Sequence, residues 1–368
     1  MQKIFEGEKC YQKIGEILTQ IGTEKFMLVG KMPFHTDALT EYFKGIEIPF
    51  VVFRNFTANP KYEEICEGVD LFNAEGCDAI VTVGGGSAID VAKCIKIFSK
   101  MEKCGLYFEQ GLSDTKIPLL AVPTTAGTGS ESTRFSVFYN NGEKQSIGPE
   151  YLLPDYAFLD ETLLYPLPEY QKKCTLLDAL CQAIESWWSV HSTDESKAYA
   201  KVAVEKIIKN YKGYIFDSDE TATKEIMQGS NYAGKAINIT STTAPHAMGY
   251  KLTTLYGLPH GHSVGIGLNC VWKYMIENLD KCTDSRGKDY LVGIFNDIAK
   301  SLGGKTAKEG NAIYKNLLNE LGISGPKATK EELDILADSV NVGRLKNNPV
   351  ELDRNALYDL YESITENV

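Results

Sequence analysis

Short apolar segments alternate with amphipathic segments over residues 25–160, and this alternation restricts the fold more than any other feature. The apolar, β-prone runs cover residues 25–30, 49–53, 78–83, 117–122 and 156–160. Strands separated by helical crossovers pair in parallel, because each crossover returns the chain to the end of the sheet where the previous strand began. The first part of the chain is therefore predicted to be an α/β, Rossmann-like domain with a parallel sheet.

After residue 163 the strand pattern gives way to helical periodicity. The segments CTLLDALCQAIESWW at 174–188 and AYAKVAVEKIIKNY at 198–211 repeat apolar residues with the helix period, and more helical segments follow residue 292. A chain of 368 residues is long enough for two domains that each bury a core. We predict an α/β domain over residues 1–163 and an all-α domain over residues 164–368, with a ligand cleft between them.

Composition excludes several classes of partner. The chain has 38 Lys and Arg residues against 49 Asp and Glu residues, a formal net charge of −11. That charge repels nucleic acid and acidic membrane surfaces, and no apolar run is long enough to cross a bilayer. Nine cysteines without a CxxC pair fit buried thiols better than a disulfide framework or a structural zinc site. We therefore expect a cytoplasmic protein with a small-molecule ligand.

A run of glycines follows the strand DAIVTV directly and precedes the amphipathic segment AIDVAKCIKIF. Glycine lets the backbone approach a pyrophosphate closely, and the free amides of a helix start, here expected to be capped by Ser87, favour an anion. The spacing differs from GxGxxG, so the ordinary dinucleotide fingerprint is absent, and a tight turn without a ligand remains open. The residues of this predicted phosphate loop are Gly84, Gly85, Gly86 and Ser87.

A second loop of small and hydroxyl residues, PTTAGTGS at 123–130, directly follows another predicted strand. It offers backbone amides and the hydroxyls of Thr124 and Thr125 to a ligand. Two such loops at one edge of a sheet favour a bound nucleotide over two unrelated turns.

Three of the five histidines lie between residues 246 and 262. Imidazole nitrogens suit Fe²⁺ and Zn²⁺, and a carboxylate completes the charge balance of such a site. Asp178 lies in the apolar segment LLDALCQAIESWW, where a carboxylate is costly unless it is paired or bound to a metal, and Gln182 follows one helical turn later. Each residue alone fits an ordinary buried role as well, but together Asp178, Gln182, His246 and His260 favour a metal. His262 is expected to line the site, and His35 and His191 to lie on the surface.

These motifs, in this order, resemble the iron-containing (group III) alcohol dehydrogenase family over nearly the whole chain. The similarity rests on ANP at 58–60, GGGSAIDVAK at 84–93, PTTAGTGSE at 123–131, LPDYAFLD at 153–160, DALxxA at 178–183, and HAM and PHG at 246 and 259. It implies a dinucleotide-binding α/β domain, a helical metal-binding and catalytic domain, and hydride transfer between NAD(P)H and an aldehyde. A homo-oligomer, dimer or larger, is implied as well.

The resemblance also assigns residues. It gives the pyrophosphate to residues 84–87, together with Asp90 of the same motif, and the four metal-ligand positions to Asp178, Gln182, His246 and His260. Fe²⁺ is favoured by the family, with Zn²⁺ as the alternative. The residues expected to line the rest of the cofactor are Thr124, Thr125, Thr128, Ser130 and Lys144.

Two positions depart from the family pattern. The family usually has histidine where this chain has Gln182, so a weaker amide ligand replaces an imidazole. It commonly has a proton-relaying histidine where this chain has Tyr250, whose phenol can also donate a proton. The strings HAMGYKLTTLYGLPHGHSVGI and QAIESWWSVHSTDESKAYA resemble a narrower branch, the phosphonoacetaldehyde reductases.

Single basic residues near the predicted site indicate which cofactor and which class of substrate it prefers. Lys31 stands where the family often has an acid that binds the NAD ribose, which favours the 2′-phosphate of NADP(H). Arg134 and Lys251 flank site residues and favour an anionic aldehyde, with Thr253 or Thr254 completing the anion site. A general primary alcohol dehydrogenase, a dehydroquinate-synthase-like lyase and a non-catalytic nucleotide-binding protein remain alternatives.

Overall fold

The computed structural model describes residues 2–367. Its contacts divide the chain into two compact units, the first ending at Leu167 and the second beginning at Pro168. The domain boundary that the sequence suggests after residue 163 stays a prediction. The first unit is α/β and the second is helical, as the two sequence patterns predict.

The first unit is built on a six-stranded sheet in the order β1-β8-β5-β4-β2-β3, with every neighbouring pair parallel. All five predicted strands belong to it, and β1 is the strand that the sequence pattern missed. The strands of this unit are β1 (Lys3–Glu6), β2 (Phe26–Val29), β3 (Phe50–Phe53), β4 (Ala79–Gly84), β5 (Leu119–Pro123), β6 (Ser136–Asn140), β7 (Glu143–Ile147) and β8 (Tyr156–Leu159).

Helices cover both faces of the sheet, which explains why its central strands are apolar on both sides. Residues of α1 and α2 pack with Leu28 and Val81 in one buried cluster, and residues of α3 and α4 pack with Met27 and Ile80 in another. The helices of this unit are α1 (Ile14–Gln20), α2 (Asp37–Lys44), α3 (Tyr62–Ala74) and α4 (Gly86–Phe98).

The strand order reverses between β2 and β4. The chain runs outward from β2 to β3 on one side, whereas β5, β8 and β1 lie beyond β4 on the other. Open parallel sheets bind ligands outside the carboxyl ends of the strands at such a switch point. The ends of β2 and β4 approach closely there, since a Cβ on Gly30 would lie 2.6 Å from the carbonyl oxygen of Val83. On the other side of β2, the amide of Gly30 donates to the carbonyl of Phe53 in β3 at 3.0 Å.

The strands β6 and β7 form an antiparallel hairpin outside the main sheet. Its two loop residues, Asn141 and Gly142, have φ angles of 51° and 79°, the conformation of a tight hairpin turn for which Asn-Gly is the preferred sequence. The hairpin is absent from the strands predicted above, although the sequence NNG carries its signal.

The second unit is helical, with one two-stranded parallel pair formed by β9 (Lys327–Ala328) and β10 (Glu366–Asn367). The central helix α5 is buried over almost its whole length from Cys174 onward, which fits its nearly continuous apolar sequence. The helices are α5 (Glu169–Trp188), α6 (Asp194–Lys212), α7 (Glu220–Thr240), α8 (Ala244–Tyr256), α9 (His260–Glu277), α10 (Lys288–Leu302), α11 (Ala307–Leu321), α12 (Lys330–Asp338), α13 (Val342–Leu345) and α14 (Arg354–Ile364).

Two further expectations from composition, on membrane spans and on cysteines, can be compared with the structure. Among the described residues, no helix combines the length and the apolar character that crossing a membrane requires. All nine cysteines are free thiols, as expected, but they are not all buried, since Cys104 is exposed.

Candidate active site

The predicted phosphate loop joins β4 to α4. The strand ends at Gly84, Gly85 is the N-cap residue and the helix begins at Gly86, so the first amides of α4 are available to an anion. The expectation that Ser87 caps the helix is wrong. Ser87 lies inside the first turn, and its hydroxyl donates instead to the carbonyl of Ala58 in the ANP motif.

The two glycine-containing loops pack directly on each other. The amide of Thr124 donates to the carbonyl of Gly84 at 3.0 Å. A Cβ on Gly85 would lie 3.2 Å from the side chain of Thr125, and one on Gly86 would lie 2.7 Å from that of Thr128. The predicted cofactor residues of both loops therefore form one surface, and no side chain fits at Gly86 without displacing Thr128.

Two oppositely charged side chains of α4, Asp90 and Lys93, fix the second loop, and the sequence prediction missed Lys93. Asp90 accepts a hydrogen bond from the Ser130 hydroxyl at 2.7 Å and another from the Val137 amide at 3.1 Å. Lys93, one helical turn away, is fully buried and donates to the carbonyl and hydroxyl of Ser130 at 2.8 and 2.9 Å. Asp90 and Lys93 thus position Ser130, whose role as a cofactor contact stays a prediction.

Burial dominates the electrostatics of this pair. It raises the pKa of Asp90, against the attraction of Lys93, and it lowers the pKa of Lys93 to about 8, against the attraction of Asp90 and Glu131. Lys144, on β7, also favours the charged form of Asp90. The predicted cofactor residue Lys144 therefore lies close to the residues that hold the second loop.

Lys31 follows the carboxyl end of β2 and is exposed, with its ammonium 5.7 Å from the ring centroid of Phe56. Beside this strand end is a recess of about 460 Å³. Neither the ammonium of Lys31 nor the guanidinium of Arg54 makes a hydrogen bond or ion pair within residues 2–367. The recess is lined by Met32, Pro33, Thr40, Lys44, Val52 and Arg54.

Arg134 is half-buried just after the second loop. Its guanidinium lies 4.9 Å from the ring centroid of Phe135 and donates to the carbonyl of Gly148. These contacts hold the side chain in place. Its predicted role in binding substrate stays a prediction.

In the second unit, three predicted metal ligands converge from three helices. Asp178 lies in the middle of α5, His246 in the first turn of α8, and His260 at the first position of α9. Oδ1 of Asp178 is 3.3 Å from Nε2 of His246 and 3.9 Å from Nε2 of His260, and one ligand atom from each residue lies within 4.8 Å of the others. Gly257, with φ of 68°, ends α8 and makes the predicted turn between the two histidines.

The start of α9 meets α5 where only glycine fits. A Cβ on Gly261 would lie 1.9 Å from the carbonyl oxygen of Cys174 and 2.9 Å from Cβ of Asp178. The missing side chain lets the two backbones approach, which brings the neighbouring His260 close to Asp178.

Glu185 completes the surroundings of His246, and the sequence prediction missed it. It is fully buried on α5, and its Oε1 is 2.5 Å from Nδ1 of His246. Because an ionised carboxylate can only accept, Nδ1 carries a proton, and Nε2, which faces Asp178, is the nitrogen that can bind a metal ion. The spacing held a signal: Glu185 is a second carboxylate in the same apolar helix, two turns from Asp178.

This arrangement fits a divalent cation. The buried Nε2 of His246 makes no hydrogen bond of good geometry to any residue between 2 and 367, although it faces a carboxylate. Burial lowers the pKa of His246, but the carboxylates of Glu185 and Asp178 outweigh burial and raise the pKa to about 9. The surroundings therefore favour positive charge where two imidazoles and a carboxylate converge, which is the donor set that Fe²⁺ or Zn²⁺ requires.

The remaining predicted residues lie around this cluster. Gln182 is buried one turn after Asp178, and the ring of Tyr250 stacks on that of His260 with centroids 5.4 Å apart. Lys251 follows on α8, half-buried, and its ammonium forms no ion pair or hydrogen bond in the described chain. The roles of Gln182, Tyr250 and Lys251 stay predictions.

Several polar residues near the cluster are already engaged. Both ring nitrogens of His262 are occupied, Nδ1 by the Tyr170 hydroxyl and Nε2 by the Ser324 carbonyl, each at 2.8 Å, so His262 is not a ligand. The hydroxyl of Thr253 donates to Ser263 and that of Thr254 to the carbonyl of Lys251, so neither proton is available to the predicted anion site. The other two histidines, His35 and His191, are exposed, as expected.

Comparisons with known proteins agree with both halves of the chain. Residues 1–161 match the family model described as iron-containing alcohol dehydrogenase, and residues 173–365 match the model for the C-terminal part of the Fe-containing alcohol dehydrogenase family.

Relatives and solved structures extend the comparison. A phosphonoacetaldehyde reductase from Streptomyces viridochromogenes is 29% identical over 295 residues, 76% of this chain and 74% of that protein. A 1,3-propanediol dehydrogenase from Citrobacter freundii is 32% identical over 293 residues, 76% of each chain. The crystal structure of a sulfoacetaldehyde reductase from Bifidobacterium kashiwanohense in complex with NAD⁺ superposes with a TM-score of 0.88 at 26% identity, covering 99% of this chain and 96% of that one.

Proposed function

We propose that this chain, which belongs to the iron-containing alcohol dehydrogenase family, reduces a small anionic aldehyde with NAD(P)H, and that phosphonoacetaldehyde, giving 2-hydroxyethylphosphonate, is its preferred substrate. One observation carries the choice of an anion: the uncommitted ammonium of Lys251 follows Tyr250, whose ring stacks on His260 of the metal cluster. Two of the similar proteins, the phosphonoacetaldehyde and sulfoacetaldehyde reductases, are named for aldehydes of this kind.

In the proposed reaction the first unit holds the dinucleotide and the second holds the metal. When bound, a divalent metal supplies Lewis acidity that polarises the aldehyde carbonyl, and the reduced nicotinamide supplies the hydride. Asp178, His246 and His260 hold the ion, with Gln182 as the proposed fourth ligand; Fe²⁺ is favoured by the family and Zn²⁺ is the alternative. The carbonyl carbon gains the hydride and its oxygen gains a proton.

We assign that proton to the hydroxyl of Tyr250. The phenol occupies the position at which the family commonly has a relaying histidine, and its ring is held parallel to His260, with an interplanar angle of 5°. A phenol that donates in the transition state lowers the barrier by neutralising the charge that develops on oxygen.

Arg134 and Lys251 are the cations that we propose attract the phosphonate. A guanidinium can bind two phosphonate oxygens at once, and an ammonium adds a compact charge. Arg134 donates to the carbonyl of Gly148, and the ammonium of Lys251 has no acidic partner within residues 2–367. An anionic substrate therefore does not have to displace an ion pair of Lys251.

The test compares kcat/KM for phosphonoacetaldehyde and for propanal. We expect at least about a tenfold advantage for phosphonoacetaldehyde, equivalent to about 1.4 kcal/mol of transition-state binding. Arg134→Ala and Lys251→Ala should each reduce that advantage and leave propanal unaffected. Lys224→Ala, at an exposed lysine on α7, is the matched control and should change neither value. Equal reduction of both aldehydes by the unmodified enzyme would show that the phosphonate assignment is wrong.

A general primary alcohol dehydrogenase is the second candidate. It is favoured by the 32% identity to 1,3-propanediol dehydrogenase, which exceeds the 29% identity to the phosphonoacetaldehyde reductase. The same comparison of substrates separates the two candidates, because this function predicts a neutral aldehyde as the better substrate.

We further propose that NADP(H) is the preferred cofactor. Lys31 and Arg54 follow the adjacent ends of β2 and β3, beside the switch point between β2 and β4, and neither makes a hydrogen bond or ion pair within residues 2–367. Such charge attracts the 2′-phosphate, whereas NAD-binding sheets often place an acid there. A cytoplasmic homo-oligomer, dimer or larger, also remains a proposal, and light scattering of the purified protein tests the assembly.

A further inference from the structure

We infer that Glu185 is a positioning residue that fixes the tautomer of His246 and thereby sets the affinity of the chain for its metal ion. The inference rests on the proposed metal site of Asp178, His246 and His260. It assigns a function to a buried carboxylate that binds no ion itself. Metal-bound histidines generally donate their second nitrogen to such a group, which orients the ring.

Both oxygens of Glu185 have fixed partners. Oε1 accepts from Nδ1 of His246 at 2.5 Å, while Oε2 accepts from the amide and the hydroxyl of Thr243 at 2.7 and 2.9 Å. The Thr243 hydroxyl in turn accepts from Nε1 of Trp188 at 2.9 Å. Because Thr243 is the N-cap residue of α8, Glu185 ties the start of this helix to α5 and holds the ring of His246 at the same time.

Only a carboxylate can satisfy these donors together. An amide at position 185 offers only one acceptor atom, whereas the Thr243 amide and the His246 ring donate to two different oxygens of Glu185. If the amide oxygen stays with Thr243, its NH₂ group faces Nδ1 of His246 and selects the tautomer that carries its proton on Nε2. That proton would point toward Asp178, in the space where the ion binds.

The charge of Glu185 adds to its geometric effect. Asp178 and Glu185 are both buried, and two carboxylates balance one divalent ion. A buried carboxylate without a compensating charge is costly, so removing one of them also removes part of the attraction for the cation. Geometry and charge therefore both predict that replacing Glu185 weakens metal binding.

The experiment measures metal affinity in two variants. Zn²⁺-loaded protein competes with a fluorescent chelator, and Glu185→Gln is expected to bind Zn²⁺ about 10- to 100-fold more weakly than the unmodified chain, the usual effect of losing such a partner. Thr243→Val is the matched variant, because it removes the neighbouring hydroxyl bonds but leaves the contact between Glu185 and His246. It should lower the melting temperature and change Zn²⁺ affinity by less than about threefold.

A second readout separates positioning from general destabilisation. The absorption spectrum of the Co²⁺-loaded protein reports ligand geometry, and it should change in Glu185→Gln but not in Thr243→Val. If Glu185→Gln does not fold, Glu185→Asp takes its place, because the shorter side chain cannot reach His246 and Thr243 together. The inference is overturned if the variant at position 185 binds Zn²⁺ as tightly as the unmodified chain. It is also overturned if Thr243→Val loses as much Zn²⁺ affinity as the variant at position 185. Failure of the unmodified chain to bind Zn²⁺ or Fe²⁺ would instead contradict the proposed metal site.

Discussion

Replacing Gly261 by alanine should weaken the metal site without changing any ligand. The added Cβ would lie 1.9 Å from the carbonyl oxygen of Cys174, whereas ordinary contact begins at 3.4 Å. The obstacle is helix backbone, which cannot rotate away as a side chain can. The start of α9 must therefore move from α5 by about 1.5 Å, a displacement that carries His260 with it.

The loss of stability caused by Gly261→Ala can be estimated. Overpacking typically costs about 1–3 kcal/mol and occasionally more, and the backbone obstacle puts Gly261→Ala at about 3 kcal/mol or above. For a cooperative unit of this size, that loss lowers the melting temperature by about 6–12 °C. Thermal unfolding of the metal-free protein measures it, and Zn²⁺ competition should show at least about tenfold weaker binding.

Gly267→Ala is the control in the same helix. A Cβ there would meet its nearest atom, the carbonyl oxygen of Pro245, at 3.7 Å, which is an ordinary contact. Because alanine favours the helix over glycine, this variant should be neutral or more stable by about 0.5–1 kcal/mol. If Gly261→Ala melts within about 2 °C of the unmodified protein and keeps its metal, the close approach of α5 and α9 is not what forms the site.

Three further results are expected. His260→Ala should abolish metal binding and turnover together, measured by elemental analysis and an aldehyde assay; activity in a metal-free preparation would contradict the assignment. The kcat/KM for NADPH should exceed that for NADH, and Lys31→Ala or Arg54→Ala should reduce this preference without affecting NADH; equal use of both cofactors refutes it. Gln182→His, which restores the ligand usual in the family, should tighten Zn²⁺ binding by about tenfold or more, because imidazole is a stronger donor than an amide. An unchanged affinity would place Gln182 outside the coordination sphere.

Local sequence patterns predicted most of the fold. The family, the fold class and the type of enzyme inferred from the motifs are confirmed, and the apolar runs located five of the six strands of the main sheet. The missed strand β1, KIFE, begins and ends with a charged residue, unlike the predicted apolar runs, and it pairs with β8, more than 150 positions later along the chain. Such a strand is defined by its distant partner, and its own composition says little.

Some residues of the candidate site could be predicted from the sequence and others could not, for a similar reason. Histidines and a buried acid are conspicuous in a sequence, so Asp178, His246 and His260 could be selected before the structure showed that they converge. Lys93 and Glu185 were missed because their importance depends on tertiary contacts: one is surrounded by the carbonyls of a distant loop, and the other by an N-cap residue nearly 60 positions away. The substrate and the individual roles of the site residues stay predictions.

The packing of the two cofactor loops limits how the dinucleotide site can be redesigned. Gly85 faces Thr125 and Gly86 faces Thr128, so each loop forms the wall against which the other is shaped. Grafting GGGS from this chain into another scaffold would transfer only half of a surface, and a larger residue in one loop would require a smaller one opposite it. Two segments separated by about 40 residues therefore behave as one exchangeable module, and cofactor engineering has to replace them as a pair.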